Sequence, residues 1–113
     1  MSDLEKIITE VQTKNQILQN IMMQKQTLSM HEKEVDNALE EVEKSTDDIY
    51  RASGPILIKM SKEDIKNDLE EKKEDFDLKI KTLEKQEKKL TEDIKESQKS
   101  LQSMMNQKPK AGS

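Results

Sequence analysis

The chain has one internal glycine and one internal proline, and they are neighbours, Gly54 and Pro55. On either side more than forty residues run without another helix breaker. Each flank carries a seven-residue apolar repeat. In the first, Leu4, Val11, Leu18, Lys25, Glu32 and Leu39 alternate with Ile7, Lys14, Ile21, Leu28, Val35 and Val42. Nine of these twelve positions are apolar, in a chain that is only 31% hydrophobic, so the repeat is a coiled-coil seam. In the second flank, Leu69, Phe76, Leu83, Leu90, Ser97 and Met104 alternate with Lys73, Ile80, Glu87, Ile94 and Leu101, and eight of eleven are apolar. Lys14, Lys25 and Glu32 break the first seam. Such residues either fix the register of a pair or mark places where it is loose.

The expected elements follow. A first helix spans about 3–45, with Asp3 capping or charging its N-terminus. A second spans about 62–106, with Ser61-Lys62-Glu63-Asp64 at the spacing of a capping box. Glu10–Lys14, Glu40–Lys44, Asp75–Lys79, Asp77–Lys81 and Glu84–Lys88 are four apart and suit exposed helix faces. At ~1.5 Å per residue each arm is ~65 Å long. Between them, Ile49–Ala52 and Ile56–Met60 are rich in β-branched and aliphatic residues, and Ser53-Gly54-Pro55 separates them as a turn. This segment, about 48–60, reads as a single β-hairpin. Two helices of equal length flanking a tight hairpin run antiparallel, with facing residue numbers that sum to about 107 to 110. That places Leu4 and Ile7 near Leu101 and Met104. Pro109 and Gly112 predict a frayed tail over 107–113. The whole of 1–113 reads as one mostly α unit.

An isolated hairpin is marginal in water, and successive strand residues point to opposite faces. Ile56, Leu57 and Ile58 therefore place apolar side chains on both faces, and the charged arms have little to cover them with. The hairpin argues for association through strands.

The remaining composition excludes much. With 39% charged residues, one Phe, one Tyr and no Trp, the chain cannot build a globular core. It has no cysteine, so thiol chemistry and thiolate metal sites are absent. No basic n-region precedes an apolar stretch, and no run is long enough for a membrane span. A soluble cytoplasmic protein is the expectation. A net charge of −4, with signs interspersed, gives no field for nucleic acid. The seven lysines of 79–99 are mixed with acids and read as a solvated face. His31 has no second histidine to share a metal and reads as exposed and inert. No phosphate loop and no nucleophile–base pair can be assembled, so neither enzyme activity nor a cofactor is expected.

Met22, Met23, Met30, Ile8, Ile17 and Leu78 lie off the seam, and adaptable binding surfaces overuse methionine. Apolar residues at the open arm ends, Leu4, Ile7, Ile8, Leu101, Met104 and Met105, exceed what a two-helix seam can bury. Two readings stay open: a frayed end with scattered apolar residues, or a tip that grips apolar segments of other proteins.

Tyr50-Arg51-x-x-Gly54-x-x-Leu57-Ile58-Lys59 resembles the aromatic–basic hairpin of the β-class subunits of prefoldin, a hexameric co-chaperone. Lys81-Thr82-Leu83-Glu84-Lys85-Gln86-Glu87 and Met23-Gln24-Lys25-Gln26 are similar to stretches of the same family, and the resemblance covers about Leu4–Met105. Ser53 departs from it, where the family more often has an apolar residue. Room for one hairpin rather than two favours the β class. The resemblance implies a hexamer of two α-class and four β-class subunits whose hairpins, here Ile49, Tyr50, Ile56, Leu57 and Ile58, pair in a β-barrel platform. It also implies an ATP-independent holdase. The tips, here Leu4, Ile7, Ile8, Leu101, Met104 and Met105, would bind unfolded clients and pass them to a group II chaperonin. The competing reading is a structural coiled-coil adaptor or spacer specific for one folded partner.

Overall fold

The computed structural model describes residues 2–106. Helix α1 spans Asp3–Lys44, strand β1 Ile49–Ser53, strand β2 Ile56–Met60 and helix α2 Lys62–Asn106. The expected tail over 107–113 lies outside the described residues. The chain divides into two compact units. Unit 1 is Met1–Lys25 with Thr82–Ser113, and unit 2 is Gln26–Lys81.

Both helices start on a serine. Ser61 accepts the Asp64 N–H on its Oγ at 3.1 Å. At α1 the cap is Ser2 rather than Asp3: its Oγ accepts the Glu5 N–H at 3.2 Å and its carbonyl accepts the Lys6 N–H. Asp3 instead lies in the first turn with Glu5, where negative charge favours the helix dipole. With Ser2 as the cap, Glu5 falls at N3, the position whose amide a capping hydroxyl reaches. The other end of α1 tightens as Ser45 N–H donates to the Val42 carbonyl. Lys62, at the start of α2, then donates its ammonium to the Glu43 carbonyl at 2.9 Å and to the Ser45 carbonyl at 3.5 Å. A cation thus meets carbonyls that the ending helix leaves without partners.

The seam is thin. In unit 1 its most buried residues are Ile21 and Ile94, and in unit 2 they are Val35, Val42 and Ile65. None is fully enclosed, because a helix can cover only one side of its partner. Along α1 every seam position except Leu4 is buried or half-buried, and along α2 every one except Lys73. Ile65 is buried although the repeat extends back from Leu69 to Lys66 and Lys62. Ile65 lies four residues before Leu69, one turn back on the same face, so it fills the seam. Lys66 at its flank sends its ammonium to Glu43 at 2.6 Å.

Polar seam residues meet each other. Lys25 pairs with Glu87 at 3.0 Å inside unit 1, so two interruptions of the apolar repeat answer one another. Lys73 pairs with Asp36 at 2.6 Å inside unit 2. The Asp36–Lys73 and Glu43–Lys66 pairs both add to 109 in residue number (36 with 73, 43 with 66), which sets the antiparallel register of unit 2. Of the expected pairs four apart, Asp77–Lys81 forms at 3.1 Å, and the other four are not ion-paired among the described residues. Glu32 is the exception in the seam: its Oε2 is buried without a hydrogen-bond partner.

Candidate functional site

Two surfaces concentrate exposed apolar side chains among the described residues. One is the hairpin of unit 2. Its strands pair antiparallel, Ile49 with Met60, Tyr50 with Lys59, Arg51 with Ile58, Ala52 with Leu57 and Ser53 with Ile56. Gly54 and Pro55 form the two-residue loop, with Gly54 at φ 58°. A Cβ there would touch nothing, so glycine is required for the backbone angle and not for space. Positive φ at the first loop position, followed by the fixed φ of proline, suits the twist of a hairpin.

Side-chain alternation puts Ile56 and Ile58 on one face with Arg51, and Leu57 on the other with Tyr50 and Ala52. Ile56 and Leu57 are 61% and 69% exposed, and Tyr50 and Ile58 are also exposed. Ile49 differs from this group: with its partner Met60 it is half-buried at the base of the hairpin. Arg51 donates to Asp68 of α2 at 2.9 Å, and Lys59 pairs with Asp48 at 3.4 Å. These ties fix the base of the hairpin and leave its edges and the outer parts of both faces open.

Behind it stands the Glu43–Lys66 pair. The hydrogen bond and charge of Lys66 hold the Glu43 carboxyl below its ordinary value, with a smaller contribution from Lys62. The same hydrogen bond and charge raise Lys66. Lys73 is raised in the same way by Asp36.

The second surface lies in unit 1, at the start of α1 and the end of α2. Leu4, Ile8 and Met105 are exposed, Met105 by 56%, whereas Ile7, Leu101 and Met104 are half-buried as seam residues. The six expected tip residues therefore divide into three that are accessible and three that hold the helices together. Unit 1 also exposes Ile17, Met22 and Met23 on α1; unit 2 exposes Met30 and Leu78.

His31 is not a bare surface residue. Its ring stacks on Phe76 at 5.7 Å between centroids and 23° between planes, with Nδ1 3.4 Å from Glu34 Oε2. Phe76 is a seam residue, so His31 extends the seam sideways, a contact that the heptad pattern does not encode. Among the described residues no cluster of acidic or histidine side chains is placed to hold a metal, and no helix is long and apolar enough to cross a membrane.

A family model described as "Prefoldin subunit" matches residues 5–108. No curated protein matches the chain. Among solved structures, the prefoldin beta subunit from Thermococcus strain KS-1 is similar at 29% identity and a TM-score of 0.88, over 96% of each chain. The prefoldin beta2 subunit from the same strain is similar at 25% identity and a TM-score of 0.70, over 79% of this chain and 97% of that one.

Proposed function

This chain belongs to the prefoldin subunit family, with the single hairpin of its β class, and from that premise we propose that it is an ATP-independent holdase subunit. It assembles through its hairpin with α-class subunits and other β-class copies, in a hexamer of two α-class and four β-class chains. It holds unfolded clients at the helix ends of unit 1 and passes them to a group II chaperonin in the cytoplasm. Units 1 and 2 act together as one subunit, and no catalytic step is assigned to it.

The observation that carries this reading is the uncovered hairpin. Isoleucine and leucine side chains on both of its faces favour strands from other chains, because burying such a side chain contributes roughly 1.5 to 3 kcal/mol. Leu4, Ile8 and Met105 are the accessible apolar residues at the helix ends, and they support client binding there. Each grip is weak, and several tips on one client add through effective concentration. The spacer reading draws on Met30 and Leu78, which expose apolar surface in unit 2 and could serve one folded partner.

The test dilutes a chemically unfolded protein into buffer and follows light scattering, with this chain alone, with an α-class subunit, and with their assembled mixture. Suppression by the assembled mixture without nucleotide is expected. An assembled mixture that leaves aggregation unchanged contradicts the holdase reading and favours the spacer.

A further inference from the structure

The two flanks of the seam in unit 1 differ. On α1 the residues that follow Ile7, Lys14 and Ile21 are Ile8, Asn15 and Met22. On α2 the residues that follow Leu90, Ser97 and Met104 are Thr91, Gln98 and Met105. All six are uncharged and exposed. Turning a right-handed helix end for end keeps its hand, so in an antiparallel pair these two series lie on the same flank. Their residue numbers add to 113 (8 with 105, 15 with 98, 22 with 91), one more than Lys25 with Glu87, the ion pair that marks the register of unit 1. Three level rungs result: Ile8 with Met105, Asn15 with Gln98, and Met22 with Thr91. The opposite flank, made of the residues before Val11 and Ile94, carries Glu10 and Asp93. The uncharged run ends at Glu84, one heptad before Thr91, and Lys88 and Lys95 stand one step outside it on α2. The side-chain amides of Asn15 and Gln98 make no hydrogen bond among the described residues.

We propose that this flank is a track for extended, non-native polypeptide, which it reads through the main chain. The proposal rests on the holdase reading and deepens it, by naming what the subunit recognises beyond the helix ends. Ile8 and Met105 are accessible residues of the helix ends, and Met22 offers a second apolar hold ~21 Å further along. An extended segment of about seven residues spans that length. Between the two holds, Asn15 and Gln98 each present a donor and an acceptor. An unfolded segment has free N–H and C=O groups to meet them, whereas a folded partner has already paired its own. Methionine at both ends adapts to whatever apolar side chain arrives. With no charge on the rungs, the track sorts clients by conformation rather than by sign. Its size argues against a second copy or a folded partner. A strip ~21 Å long and about 10 Å wide offers about 200 Å², and a stable pairing takes about 800 Å² from each side. A weak hold suits a client that is gripped at several places at once.

The experiment uses the complex assembled with α-class subunits and two labelled apolar peptides of about twelve residues with the same side chains. One has an ordinary main chain, and the other carries N-methyl groups on every second main-chain nitrogen. Binding is read by fluorescence anisotropy. The N-methylated peptide is expected to bind about fivefold more weakly. Asn15→Ala with Gln98→Ala is expected to bring the ordinary peptide down to the affinity of the N-methylated one, which itself stays unchanged, with helicity intact because both positions are exposed. Met22→Ser is expected to weaken both peptides alike. Gln24→Ala with Gln86→Ala, on the opposite flank, is the control and is expected to change neither. Equal binding of the two peptides by the wild type overturns the proposal, and so does a difference that survives the two alanines at 15 and 98. A doubling of the mass of the complex in sedimentation that those two alanines abolish assigns the flank to a second copy and overturns it as well. Failure of both peptides to bind overturns the holdase reading beneath it.

Discussion

Gly54 holds φ at 58° with open space around its missing Cβ. Gly54→Ala therefore costs only the backbone term, about 1 to 2 kcal/mol, while Gly54→Asn costs less because Asn tolerates this region. Thermal unfolding of the assembled complex is expected to rank glycine, asparagine, alanine. Glu32 presents the opposite problem, a buried carboxylate oxygen with no hydrogen bond. Glu32→Leu removes that desolvation and extends the apolar seam, so it is expected to stabilise by about 1 kcal/mol in chemical denaturation. The glycine's role was legible in the sequence, because a lone Gly-Pro between two aliphatic runs has few other readings. The cap at Ser2 is legible in principle from Ser2-Asp3-Leu4-Glu5, which has the capping-box spacing, although Asp3 next to it is an equally good capping residue type. The stacking of His31 on Phe76 was not legible. It depends on the rotation of each helix about its axis, which a seven-residue repeat fixes only for the seam itself.

At the scale of the helices, the apolar repeat located nearly the whole buried stripe, and what it missed was polar pairing. Lys25 and Glu87 each look like a defect when read along one helix, and they become a pair only when two registers are combined. Lys25→Glu alone is expected to destabilise by about 1 kcal/mol, and the double exchange Lys25→Glu with Glu87→Lys is expected to recover most of it, read as a double-mutant cycle. Removing a seam residue costs more: Ile94→Ala is expected to lose about 2 kcal/mol, near the low end for such changes because the seam is open to solvent along its edges.

The Glu43–Lys66 pair has a pH signature. With the Glu43 pKa held below its ordinary 4.5, its contribution is present above that value and is lost as pH falls through the folded value. With Lys66 raised above 10.5, its contribution is present below that value and is lost as pH rises through the folded value. Thermal melts of Glu43→Gln are expected to differ from wild type most between these two limits and to converge with it at the acid and alkaline extremes.

At the scale of the molecule, the sequence pointed to the fold and to the family through the same residues, the hairpin and the arms beside it. The sequence places six apolar residues at the helix ends without separating Leu4, Ile8 and Met105, which are accessible, from Ile7, Leu101 and Met104, which are half-buried in the seam. That division makes a clean test possible, since polar substitution of the accessible three spares the core. The decisive measurement is aggregation of an unfolded client in the presence of the assembled complex carrying Leu4→Ser, Ile8→Ser and Met105→Ser, with helicity and assembly shown to be unchanged. Client binding at the helix ends predicts that protection falls to the level of buffer. Full protection by that variant would contradict it and move the client site elsewhere on the chain.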